Sequence, residues 1–87
     1  MGECIHAHSS VVIDSEGSTF RAETWGERRP DGTWWGWIEF TPREGGEVLI
    51  TDQETSQPDR GALAYWATGL EPTYLEGALI RARDLAF

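Results

Sequence analysis

Apolar and polar residues alternate along the first half of the chain, and apolar residues recur at three- and four-residue intervals along the second. The first pattern marks a half-buried strand and the second an amphipathic helix. Alternation predicts strands near residues 19–26, 33–41 and 47–52, with an earlier one near 9–14. Glu16-Gly17, Pro30-Asp31-Gly32 and Pro42-Arg43-Glu44-Gly45-Gly46 separate them, and these are residue types that reverse a chain. After the polar stretch Thr51–Thr55, Ser56 is placed to cap a helix, Pro58 suits its first turn and Asp59 favours its positive end. Ala62, Leu63, Trp66, Ala67 and Leu70 follow helical spacing, with Gly69 as the stop. Leu75, Ala78, Leu79, Ala82 and Leu85 fit a second helix, with a strand through Tyr74–Ile80 as the competing reading. The expected fold is α+β: an antiparallel β-meander of three to four strands packed against one or two C-terminal helices. It forms a single domain over 1–87, in which residues 1–8 read as a flexible tail.

Period two also assigns faces. A hairpin centred on Pro30 sets Phe20 opposite Phe40 and Ala22 opposite Ile38. On its other face Arg21 meets Glu39, Glu23 meets Trp37, and Trp25 meets Trp35. A second hairpin centred near Glu44 brings Val48 beside Phe40 and Ile50 beside Ile38. Phe20, Trp34, Ile38, Phe40, Val48 and Ile50 then make the expected core face. A sheet with one helical layer needs only one apolar face. Trp25, Trp35 and Trp37, set beside Arg21, Glu23 and Glu39, therefore require either a covering element or a partner. An aromatic patch rimmed by charge is the composition of protein–protein hot spots.

Composition sharpens this picture. Five Trp, three Phe and two Tyr in 87 residues are a heavy aromatic load, in a chain whose size buries only about 60–65% of its unfolded surface. Cys4 is the one cysteine, so no internal disulfide forms, which fits a reducing cytoplasm. No stretch approaches the roughly 20 apolar residues of a membrane span, and none resembles a secretion signal. A cytoplasmic protein without a membrane partner is expected. Fifteen acids against seven bases, all arginine, give a net charge of −8. Direct nucleic-acid binding is disfavoured by that balance, whereas a basic protein partner is attracted.

Catalytic patterns are missing. There is no GxSxG elbow, no GxxxxGK[ST] loop and no dinucleotide fingerprint, and both histidines lie near the N-terminus. A non-enzymatic protein with no cofactor is expected. Cys4, His6 and His8 form the one metal-like spacing, because alternate residues of an extended strand share a face. Asp52, Glu54 and Asp59 lack the glycine-containing loop that oxygen-ligand sites use.

Asp31-Gly32-Thr33-Trp34, Gly36–Phe40, Glu54-Thr55-Ser56-Gln57-Pro58, Tyr65-Trp66-Ala67, Gly69–Pro72 and Tyr74-Leu75-Glu76-Gly77-Ala78 resemble a family of small uncharacterised bacterial proteins. The order of a meander, a Thr-rich turn and an Ala/Leu helix is similar to HicB-type antitoxins. That resemblance implies a partial ribonuclease-H-like domain without nuclease activity, which neutralises a basic toxin. Together these features predict a non-catalytic, inhibitor-like domain that binds and occludes or scaffolds another protein, through Trp25, Trp35, Trp37, Arg21, Glu23 and Glu39. A homodimer is one way to bury the same patch. The alternatives are an acidic mimic of nucleic acid that blocks a basic groove, and a metal-binding protein or small metalloenzyme using Cys4, His6 and His8.

Overall fold

Each of the three hairpin turns of the sheet contains glycine with a left-handed backbone, at Gly17, Gly32 and Gly45-Gly46. The computed structural model describes residues 2–86. Strands β1 (Glu3–Ile13), β2 (Thr19–Arg28), β3 (Trp34–Pro42), β4 (Leu49–Ile50) and β5 (Thr55–Gln57) precede helices α1 (Arg60–Thr68) and α2 (Pro72–Ala86). The sheet is antiparallel in the order β1-β2-β3-β4, and β5 pairs with β3 alongside β4. The α+β meander with C-terminal helices is therefore the observed architecture, and 74–80 is helical. Residues 3–8, expected in a flexible tail, are part of β1 and pair with β2.

The β2–β3 loop is Pro30-Asp31-Gly32, closed by the Arg29 amide donating to the Thr33 carbonyl at 2.7 Å, with Gly32 at φ +90°. Such three-residue hairpin loops end in a left-handed residue, which favours glycine. The loop centres on Asp31 rather than Pro30, so Ala22 pairs with Phe40, Thr24 with Ile38, and Glu23 with Glu39. The pairing moves by two residues and every face assignment survives. The β3–β4 turn differs. Gly45 and Gly46 both take positive φ, and Leu49 rather than Val48 pairs with Phe40. That one-residue slip inverts the faces. Val48 and Ile50, expected in the core, are exposed, and Leu49 packs against it. Trp34, at the end of β3, is only partly buried.

The core lies on one side of the sheet. Val12, Phe20, Ala22, Ile38 and Phe40 meet Leu75, Ala78, Leu79 and Ala82 of α2, whose spacing places them on one helix face. Helix α1 approaches more closely. Gly26 and Gly36 are direct partners across β2 and β3, and Leu63 lies over them. A Cβ on Gly26 would sit 2.4 Å, and one on Gly36 2.6 Å, from the Leu63 methyls. Asp59, not Ser56, caps α1, its carboxylate accepting from the Ala62 amide at 2.7 Å; Ser56 belongs to β5. Helix α2 is tied down by Glu54, which accepts from the Tyr74 hydroxyl at 2.6 Å and from Arg81, and by Asp14, which accepts from Arg83. Burial and the Glu54 bond push the Tyr74 phenol up to about 12, so it remains a donor.

Candidate functional site

The sheet face turned away from the helices carries all six residues singled out by alternation. Trp25 and Trp37 are direct cross-strand partners, Glu23 and Glu39 are the next pair on the same face, and Arg21 lies opposite Thr41 beyond them. Trp35 lies on this face opposite Glu27 and is 37% exposed. Trp25 and Trp37 are partly buried. The backbone of Gly2 lies so close to the Trp37 ring that a Cβ there would come within 2.6 Å of it.

Both indoles are held by the neighbouring carboxylates. Trp25 Nε1 donates to Glu23 Oε1 and Trp37 Nε1 donates to Glu39 Oε2, each at 3.0 Å. These bonds run between residues two apart in one strand, which share a face. They satisfy the polar end of each tryptophan. Glu23 and Glu39 are like charges set directly across two strands, an arrangement that costs stability. No arginine or histidine lies within ion-pair distance of either carboxylate among the described residues. At the other end of the face Arg29 stacks on Trp35, its guanidinium carbon 4.2 Å from the ring centre, and pairs with Glu27 at 2.8 Å.

A shallow groove of about 370 Å³ runs along this face beside β3. Trp35, Trp37 and Ile50 supply its apolar wall, and the Asp52-Gln53 bulge its far side. Sequence reasoning placed Ile50 in the core; the register slip delivers it to this surface, where it is 46% exposed. Val11, opposite Arg21, adds a further exposed apolar side chain. A different groove of about 450 Å³ lies between Ile13 and Ile80, where Arg83 pairs with Asp14 in the wall and with Glu16 beside it.

The Cys4, His6, His8 spacing does not converge. An irregularity between Cys4 and His6 sets Cys4 opposite Trp25 on the open face and His6 opposite Thr24 on the helix side. His8 is also on the helix side, its Nε2 2.8 Å from the Thr24 hydroxyl. The His6 and His8 rings meet edge to face at 4.8 Å. Burial, then the neighbouring His6, lowers the His8 pKa to about 4. No group of three or more His, Cys, Asp or Glu residues is arranged to hold a metal ion among the described residues. Cys4 is exposed, and its thiol pKa is raised by partial burial and by the charges of Glu23 and Glu39.

No helix among the described residues is long and apolar enough to cross a membrane. No protein-family model matches the chain, and neither a curated protein nor a solved structure shows significant similarity to it.

Proposed function

We propose that this is a non-catalytic binding domain whose open sheet face docks a basic partner protein and occludes or scaffolds it. One observation carries the reading: Trp25, Trp35 and Trp37 share a sheet face that neither helix packs against, alongside Glu23 and Glu39, which have no cationic partner among the described residues. A tryptophan surface of this kind supplies contact area at low entropic cost, and acidic groups around it steer a basic surface into place. The net charge of −8 adds long-range attraction to such a partner. The resemblance to antitoxins that neutralise basic toxins points the same way.

The test begins with proteins retained by the parent chain and lost by a Trp35→Ser/Trp37→Ser variant that keeps its melting temperature. Each is then purified and titrated back. Support requires a purified protein with net positive charge that binds the parent, loses affinity for the variant, and protects Trp35 from acrylamide quenching. Retention by parent and variant alike, or self-association of the parent that buries Trp35, removes the reading.

A further inference from the structure

The open face sets carboxylates beside indoles at two places. At one end, Glu27, Arg29 and Trp35 form a carboxylate–guanidinium–indole assembly within the chain: Arg29 pairs with Glu27 at 2.8 Å and stacks 4.2 Å from the Trp35 ring centre. Four residues earlier on β2 and across to β3, Glu23 and Glu39 face each other next to the facing pair Trp25 and Trp37. Here the carboxylates and indoles are present, and no arginine among the described residues pairs with them. Arg21, the nearest arginine along β2, is exposed and makes no ion pair with either glutamate.

The hydrogen bonds define what this second assembly offers. Each tryptophan engages one oxygen of its glutamate, Oε1 of Glu23 and Oε2 of Glu39. The remaining oxygens, Oε2 of Glu23 and Oε1 of Glu39, have no protein donor among the described residues. Side chains directly opposite across two strands have Cβ atoms about 5 Å apart. Two carboxylates carried on neighbouring stems can both be reached by the five donors of one guanidinium, whose plane also lies flat on aromatic rings. A lysine ammonium matches less well, being compact and strongly hydrated, with no plane to stack. The charge is felt locally as well: Glu23 and Glu39 both contribute to raising the pKa of Cys4, after partial burial.

Building on the open face as the docking surface, we propose that Glu23, Glu39, Trp25 and Trp37 form a receptor for one arginine side chain of the partner protein. The guanidinium stacks on the indoles, bridges the two carboxylates and relieves their mutual repulsion. Such a contact would fix the register in which the partner lies along the groove beside Trp35 and Ile50.

The probe is the peptide acetyl-Gly-Gly-Arg-Gly-Gly-amide, with citrulline and lysine versions as controls, titrated against full-length ¹⁵N-labelled protein. Citrulline keeps the shape of arginine and removes its charge. The Arg peptide is expected to shift the indole N–H signals of Trp25 and Trp37 saturably. The citrulline peptide should leave them in place at the same concentration, and the lysine peptide should bind several-fold more weakly. Glu23→Gln/Glu39→Gln should weaken the Arg peptide at least tenfold without lowering the melting temperature, because it removes a repulsive pair. The same variant should make Cys4 more reactive toward iodoacetamide near pH 8, showing that the local charge has changed. Equal binding of the citrulline or lysine peptide, undiminished binding to the Gln variant, or no indole shift overturns the arginine receptor. If the peptide fails while Trp35→Ser/Trp37→Ser still abolishes capture of a basic protein, the docking surface stands and only the arginine assignment falls.

Discussion

Thr51 completes both hydrogen bonds of Ile38 across a break in the sheet. Its amide donates to the Ile38 carbonyl at 3.0 Å, and its hydroxyl accepts from the Ile38 amide at 2.9 Å. Beyond Ile50 the chain bulges outward through Asp52 and Gln53 before β5 resumes pairing with β3. Without the hydroxyl, the amide of a fully buried residue in a central strand would lack a partner.

Thr51→Val keeps the shape and removes that acceptor. The expected loss is about 1–3 kcal/mol in urea unfolding, the cost of stranding a buried donor, with Thr51→Ser losing less. A Thr51→Val protein as stable as its parent would show that the Ile38 amide finds water through the bulge.

Gly36→Ala should reveal how closely α1 is seated. The added methyl meets Leu63 Cδ1 at 2.6 Å and Thr55 Cγ2 at 3.0 Å. Overpacking of this kind costs about 1–3 kcal/mol, and Leu63→Ala alone about 2–5 kcal/mol by leaving a cavity. In the double variant each change relieves the other, so its loss should fall short of the sum by about 1 kcal/mol or more. Strict additivity would mean that α1 moves away as a unit.

His8 predicts a pH dependence of definite sign. Its folded pKa, about 4, lies below the ordinary 6.5, so the unfolded chain binds more protons between these values. Stability is therefore fully present above about pH 6.5, falls as the pH drops toward 4, and levels off below that. Because the ring is only partly buried, solvent screening limits the contribution to about 1–2 kcal/mol. Denaturant titrations at several pH values should show the fall, and His8→Gln should flatten it. A parent and variant with parallel pH profiles would contradict the placement of His8 against Thr24.

What alternation could reveal, it revealed: Phe20, Ala22, Ile38 and Phe40 lie on the helix side, and Trp25, Trp35 and Trp37 on the other. The Pro30 centre was wrong by one position, yet a hairpin recentred by one residue shifts partners by two, and period two is insensitive to that. Leu49 escaped because two consecutive glycines with positive φ lengthen the turn by an amount that composition does not encode. Strand β5, Thr-Ser-Gln, has no apolar alternation to announce it and exists because the free edge of β3 offers partners. The start of β1 at Glu3 was similarly obscure, since two irregularities interrupt the pattern that would have marked it. The Trp–Glu hydrogen bonds follow from the i, i+2 spacing of Trp25 with Glu23 and Trp37 with Glu39. Their significance became readable only once both pairs were placed side by side.

Trp37→Ser separates the two roles a surface tryptophan can have. Trp37 lies on the open face, donates to Glu39, and is covered in part by the backbone of Gly2. Removing it forfeits some packing against Gly2, but no helix rests on it and the fully buried core is on the opposite side. Association, in contrast, would lose an aromatic anchor at the centre of the face. The expected result is a loss of partner affinity of at least about 2 kcal/mol, the scale of a hot-spot residue, with a smaller loss in unfolding free energy. Acrylamide should quench Trp35 readily in the free parent, given its exposure of 37%, and poorly in the complex. If Trp37→Ser unfolds the chain while leaving the affinity of any refolded fraction unchanged, Trp37 is a structural residue of the sheet. The docking role then passes to Trp35 and the groove beside Ile50, or to no residue of this face at all.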